Sequence, residues 1–308
     1  MPKLIEESRE LLGTLFCISI VCEDHREESA LEVIKKAFEE VVRIERSYSR
    51  FIEDNELSNL NKNKCAWTKI SDEFFELIEY AEGVRLSTEG AFNIVIENVL
   101  EGLGYDKEYS FVQSFHGASG HVELDKENKR VKISSEVDLG GLGKGYAIDR
   151  VSSLLAENFL NFCVDGGGDM YCKGLNMQGE AWQVALGHPS DTQKAIGAAR
   201  LSNVACASSN PYLRKWEGGH HLINPHTNSP ATQMMAVYTQ APLAIIADAY
   251  ATALFAMGYE KAKEWLINNC ASTQSGGQKA AAPVEAMIIS PTGKIFKSDC
   301  FKGKLFAE

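Results

Sequence analysis

The segment Glu136–Val151, EVDLGGLGKGYAIDRV, limits what this chain can fold into more than any other. Gly140, Gly141, Gly143 and Gly145 fall beside Lys144, between Asp138 and Asp149, at what reads as a strand-to-helix junction. Glycine this dense means that something approaches the backbone closely. The visitor can be a nucleotide phosphate, a metal, or another part of the protein. Two common phosphate motifs fail on spacing. The dinucleotide fingerprint needs glycines at positions one, three and six, yet from Gly141 the sixth residue is Tyr146 and from Gly143 it is Ile148. A P-loop needs GxxxxGK followed by Ser or Thr, whereas Gly145 follows Lys144 and Asp138 holds the first position. Two readings remain. The helix amides and Lys144 form an anion seat, or the stretch is a tight turn with an exposed lysine.

The flanking pattern is mixed. Thr14–Cys22 has strand character, and Leu31, Ile34, Phe38, Val41 and Val42 recur at helical spacing between Glu27 and Arg46. Ser71 is placed to cap a helix running to Leu86. The spacing predicts two strands within HVELDKENKRVKISSEVDL, then a helix over 144–157. Short strands follow in NFCVDGGGDMYCKG, AWQVALGHP, GAARLSNVACAS and MMAVYTQ, then helices over 244–258 and 260–268. Residues 271–283, ASTQSGGQKAAAP, are low in complexity and are expected to form a mobile loop. The last element is a hairpin turning at Pro291-Thr292-Gly293. No linker or fixed-period repeat divides residues 1–308, and helices alternate with groups of strands. The expectation is one α+β domain.

Composition narrows the function. A net charge of −11 without a basic stripe argues against a nucleic-acid partner. The eight cysteines form no CxxC pair and several lie in apolar runs, so buried thiols in a reducing compartment are expected. The first residues lack a basic segment followed by an apolar one, and no stretch approaches the ~18–20 apolar residues of a membrane span. The chain reads as cytoplasmic.

Other segments carry candidate chemistry. Asp248 and Thr252 in IIADAYATALFAMG share one helix face a turn apart, and both are hard oxygen donors suited to Mg²⁺. The same pair also reads as a cap and a threonine bonding to its own turn. His220, His221 and His226 lie in GGHHLINPHTNSPA, where a histidine could act as a base. Asp165 and Asp169 flank the glycines of VDGGGDMYCKG. No GxSxG elbow surrounds Ser208 or Ser209, which argues against a hydrolase nucleophile.

The order of LLGT, YSRFIEDNELSNLN, GAFNIVIENVL, VDLGGLGKGYAIDR, VDGGGDMYCKG, CASSNPY, HLINPHT and ADAYATALFAMG resembles the ApbE-type flavin transferases over about residues 12–258. The resemblance implies an α+β, ApbE-like (T-fold-related) domain, largely antiparallel sheet flanked by helices. It implies Mg²⁺-dependent transfer of FMN from FAD to a Thr or Ser hydroxyl of an acceptor protein, with release of AMP. Asp248 and Thr252 would hold Mg²⁺ by their side chains and Gly141 by its carbonyl. Lys144, Asp138, Ala91, Phe92 and Asn93 would contact FAD. So would Phe51 and Leu12, where the family often has tyrosine and methionine, and His221, which would also be the catalytic base. Family acceptors are usually exported or membrane-associated electron-transfer proteins.

This chain departs from the family pattern at two carboxylates. Asn93 and Asn224 stand where the family usually has aspartate, which leaves a divergent FAD-binding protein, or hydrolysis of FAD to FMN and AMP, as the alternative. Asn210 and Asn228 replace glycines, a change asparagine tolerates because it accepts left-handed backbone.

Overall fold

The computed structural model describes residues 2–115, 117–217, 219–272 and 284–306. β1 (Pro2–Leu11) and β2 (Thr14–Glu23) pair antiparallel along their whole length through a Leu12-Gly13 turn, at φ 54° and 68°. β1 has no counterpart in the periodicity. It is an edge strand in which only Ile5 is buried, so charges occupy both faces and no alternation marks it. α1 (Glu27–Tyr48) buries Ile34, Phe38 and Val41 as expected and Ile44 beside them, whereas Leu31 is exposed and Val42 half-buried. α2 (Glu56–Lys62) arises in the polar stretch SRFIEDNELSNLN; Asn55 and Ser58 form a reciprocal cap that starts it. β3 (Thr68–Lys69) precedes α3 (Asp72–Ser87), where the Ser71 hydroxyl accepts the Phe74 N–H at 3.2 Å. The short α4 (Glu97–Gly102) follows, then β4 (Val122–Asp125) and β5 (Arg130–Ile133), which join β3 in a small sheet.

α5 (Gly143–Ala156) leads into β6 (Phe162–Gly166), β7 (Met170–Lys173), β8 (Trp182–His188), β9 (Asp191–Leu201) and β10 (Val204–Ser209). Two-residue pairs, β11 (Lys215–Trp216) with β12 (Gly219–His220) and β13 (Ile223–Asn224) with β14 (Ser229–Pro230), shape the histidine loop. β15 (Ala236–Ala241), α6 (Ala244–Met257) and α7 (Tyr259–Ser272) complete the helical side. β16 (Glu285–Ile289) and β17 (Ile295–Lys297) form the expected hairpin with Gly293 at φ 80°, and β18 (Gly303–Leu305) pairs with β9. Of the loop expected over 271–283, residues 271 and 272 end α7, and 273–283 lie outside the described residues.

The main sheet runs β1-β2-β6-β7-β10-β15-β16-β17 with every neighbour antiparallel. Phe16, Ile18, Ile20, Phe162, Val164, Val237 and Ile288 point to one face and pack under α1, α5 and α6. Met170, Cys172, Cys206, Tyr238 and Met287 point to the other, against the β8-β9-β18 sheet. Each fully buried large side chain here contributes roughly 1.5–3 kcal/mol. This is α+β architecture, with antiparallel sheet and helices on one face. Cys22, Cys172 and Cys206 are buried thiols, but Cys65 and Cys300 are exposed, against the expectation. Among the described residues no helix is long and apolar enough to cross a membrane.

Candidate active site

The sheet, α5 and α6 bring distant segments to one cavity of about 860 Å³, large enough for a ligand well beyond a single ring. Its wall includes Leu12, Phe51, Ala91, Phe92 and Asn93 from the first half of the chain. Asp138, Gly141 and Lys144 join them from the glycine run, and His221, Asp248 and Thr252 from the second half.

The floor is charged and tightly built. α6 has no cap of its own; instead Asp149 of α5 accepts the N–H groups of Ala244 and Ile245 at 2.7 and 2.9 Å. A Cβ on Gly145 would lie 2.7 Å from the Cα of Ile245, so only glycine lets the two helices meet this closely. One turn into α6, Asp248 then faces the start of α5. Its Oδ2 accepts the Gly145 N–H at 3.0 Å and its Oδ1 lies 3.5 Å from the Lys144 ammonium. Lys144 also pairs with Asp169 at the tip of β6–β7, whose other oxygen accepts the Ser208 N–H at 3.0 Å. Burial works to lower the Lys144 pKa, but Asp169 and Asp248 outweigh it and the net shift is upward. Burial raises the Asp248 carboxyl above its usual range, against the pull of Lys144.

These contacts change the expectation of an anion seat. Gly145's amide is taken by a carboxylate and Lys144 by two. Within this trio, one ammonium between two buried carboxylates leaves a negative excess, with Arg214 the next cation along the wall, so the trio itself favours a cation over an anion. Thr252 lies one turn beyond Asp248, and its hydroxyl has no hydrogen-bond partner among the described residues, so it does not bond back to its own turn. A Cβ on Gly141 would come within 3.3 Å of Thr252 Cγ2 and 3.1 Å of the Phe92 ring, so the glycine lets that backbone reach the threonine. The hard oxygens of a carboxylate and a free hydroxyl beside a negative excess, with the Gly141 backbone close to the threonine, are a donor set that suits Mg²⁺. Among the described residues no group of three His, Cys, Asp or Glu is placed to hold a metal ion.

The mouth is aromatic. Tyr105 stacks on Trp216 with centroids 5.7 Å apart, Phe51 on Tyr109 at 5.4 Å, and Phe111 on Trp216 at 5.4 Å. Tyr109 and Phe111 take positive φ, 50° and 51°, an uncommon conformation for aromatic residues. Arg50 ties mouth to floor. Its Nη2 donates to the Tyr105 carbonyl at 2.7 Å, and its Nε lies 3.9 Å from Asp138, whose carboxylate also accepts the Gly140 N–H at 2.9 Å.

The histidines divide. His220 is buried, donates from Nε2 to the Ala231 carbonyl at 3.1 Å and accepts the Leu222 N–H, which is a structural role. His226 is exposed. His221 lies beside Tyr105, its Nδ1 3.4 Å from the Arg214 carbonyl, which leaves Nε2 with the free lone pair. Burial, then the Arg214 charge, pushes its pKa down to about 3, so the ring is neutral near pH 7.

The amides that replace family carboxylates are employed. Asn93 donates to the Gly120 carbonyl at 2.9 Å and accepts the Val95 N–H at 2.9 Å; an aspartate could do only the second. Asn224 accepts the His226 N–H at 2.9 Å. Asn228 takes φ 51°, as a glycine replacement should, whereas Asn210 is absent from the left-handed residues and makes an Asx turn to Tyr212. Arg50, Tyr105, Tyr109, Phe111 and Trp216 have no sequence reading as site residues, and Asp169 stands there only as a candidate beside Asp165. The glycines beside Asp169 and the aromatic run GYDKEYSFVQSF were the available signals.

Comparison with known proteins agrees with the fold. The profile of the ApbE family matches residues 12–274. An FAD:protein FMN transferase of Haemophilus influenzae is 29% identical over 296 residues, covering 85% of this chain and 83% of its own. One from Salmonella typhimurium is 25% identical, covering 82% and 78%. The crystal structure of the ApbE protein of Thermotoga maritima superposes with a TM-score of 0.84 at 24% identity, over 97% of this chain and 99% of that one. The flavin transferase ApbE of Vibrio cholerae gives 0.83 at 21%, over 98% and 99%.

Proposed function

The chain belongs to the ApbE family, and from that premise we propose that it is an FAD:protein FMN transferase that uses Mg²⁺ and releases AMP. The observation that carries the reading is the pair of buried carboxylates that share one lysine at the cavity floor, next to an unpartnered threonine hydroxyl. A diphosphate is itself anionic, so it would be repelled from this floor unless a cation came with it. Asp248, Thr252 and the Gly141 carbonyl would hold Mg²⁺, with Asp169 in reach of the same charge. When bound there, Mg²⁺ supplies the positive charge that offsets a diphosphate and its leaving group.

The remaining work belongs to the protein's own residues. Lys144 keeps Asp169 and Asp248 in place and adds an ammonium to the floor. The aromatic mouth offers faces on which the flat rings of FAD can stack. The neutral Nε2 of His221 accepts the proton of an acceptor Thr or Ser hydroxyl. The freed oxygen bonds to the FMN-side phosphorus, the bond to the AMP phosphate breaks, and AMP departs with that bond's electron pair. FAD bound against the aromatic and apolar walls would displace water from them, which disfavours hydrolysis to free FMN.

The test is to incubate the full chain with FAD, Mg²⁺ and candidate acceptor proteins, then measure intact masses and nucleotides. A gain of one FMN residue on an acceptor, matched by AMP, supports transfer. Free FMN with AMP points to hydrolysis. FAD that stays bound and intact with every acceptor would make this a binding protein.

A further inference from the structure

Cys163 on β6 and Cys172 on β7 are directly opposite each other in the ladder. Their sulfurs lie 2.7 Å apart, inside ordinary non-bonded contact, although both are free thiols. The register explains why they meet. At the hairpin tip the Gly166 N–H donates to the Asp169 carbonyl at 2.8 Å, so Gly166 and Asp169 form a hydrogen-bonded pair. Pairs alternate along an antiparallel ladder, which makes Val164–Tyr171 hydrogen-bonded and Cys163–Cys172 non-hydrogen-bonded. In such pairs the Cα atoms are about 4.5 Å apart and the side chains closest, within the span a disulfide can bridge.

A second thiol is near but wrongly placed. Cys206 on β10 lies opposite Met170, while Val204 is opposite Cys172, so it reaches Cys172 only on the diagonal. Cys172 is fully buried, whereas Cys163 is half-buried and reachable from outside. We propose that Cys163 and Cys172 are a reversible dithiol/disulfide pair, a cross-strand staple one hydrogen-bonded pair behind the tip that carries Asp169.

The chemistry balances against a small disulfide such as oxidised glutathione. The Cys163 thiolate attacks one glutathione sulfur, forming a mixed disulfide and releasing one glutathione thiolate. The Cys172 sulfur, giving up its proton, attacks the Cys163 sulfur and expels the second glutathione. Two protein thiols are oxidised and one small disulfide is reduced to two thiols. The final bond lies within a hairpin whose strands are already paired, so it needs no rearrangement of the sheet.

A single tryptic peptide, Val151–Lys173, contains both cysteines and no others. After treatment of the folded full chain with oxidised glutathione, denaturation and alkylation, this peptide should carry no alkyl group and should weigh two hydrogens less than its reduced form. Dithiothreitol should restore two alkylatable thiols. In Cys172→Ser, Cys163 should instead keep one glutathione. If both cysteines in the wild-type peptide are alkylated after oxidation, or the mixed disulfide persists with Cys172 present, the proposal is wrong. If oxidation joins Cys172 to Cys206, the pairing is wrong as well. The wild-type result stands by itself should the serine variant fail to fold.

Discussion

The floor and the mouth of the cavity are made in opposite ways. At the floor every charged group is fixed by backbone or by another charge: Gly145 and Lys144 hold Asp248, Ser208 and Lys144 hold Asp169, and Asp149 fixes the helix that carries Asp248. The mouth is a stack of rings on connecting segments, two of them at positive φ, with Arg50 as the polar tie beneath. A floor of this kind can hold a metal and a diphosphate in one place. A mouth of rings can admit a large flat ligand and tighten around it. The contrast separates chemistry from affinity, and substitutions in the two regions should fail in different ways.

The largest effect should come from the floor. Asp248→Ala is expected to lower the turnover of AMP release by about 10³-fold, because it removes a carboxylate ligand and the charge excess together. The fold should persist, since Asp149 still caps α6, and circular dichroism checks that. Turnover near wild type would remove Asp248 from the chemistry. Next, His221→Ala should cut kcat by about 10²-fold or more while FAD affinity changes little. Weakened binding with unchanged kcat would contradict its role as a base.

At the mouth, Tyr105→Ala should raise KM for FAD by about 5- to 30-fold, equivalent to about 1–2 kcal/mol of stacking, and leave kcat within a few-fold. A kcat loss matching that of Asp248→Ala would erase the contrast. The smallest effect concerns the support below the mouth. Glu97 is buried, accepts from Asn61 Nδ2 at 2.7 Å and lies 3.9 Å from Arg50. Burial, and then Asp138, raise its pKa from 4.5 to about 8 against the pull of Arg50. An acid whose folded pKa is raised stabilises the fold while protonated and loses that contribution as pH rises from about 4.5 to about 8, by up to about 1.4 kcal/mol per unit. Glu97→Gln should remove this slope, so thermal midpoints of the two proteins should diverge between about pH 5 and pH 8. Parallel curves would refute it.

The same contrast decides what could be read from sequence. Floor residues announce themselves locally: Asp248 and Thr252 by a four-residue spacing on an apolar helix, Lys144 and Gly141 by a glycine run at a helix start. Their shared negative excess is not legible in sequence, because Asp169 arrives from the β6–β7 tip and meets Lys144 only in three dimensions. Mouth residues have no spacing, since Phe51, Tyr105 and Trp216 meet through loops. β1 escaped notice for a related reason: an edge strand with one buried side chain has no alternation to show. Asn93 looked like a lost carboxylate. Its amide is instead needed to satisfy the Gly120 carbonyl.

The central claim is that the floor takes FAD only together with a divalent cation, and it is tested most directly by FAD titration with and without Mg²⁺. Calorimetry on the wild type should show Mg²⁺ tightening FAD binding by about 10-fold or more, about 1.4 kcal/mol, with the gain absent in Asp248→Ala. FAD binding that ignores Mg²⁺ in the wild type, or an equal Mg²⁺ gain in the variant, would contradict the account.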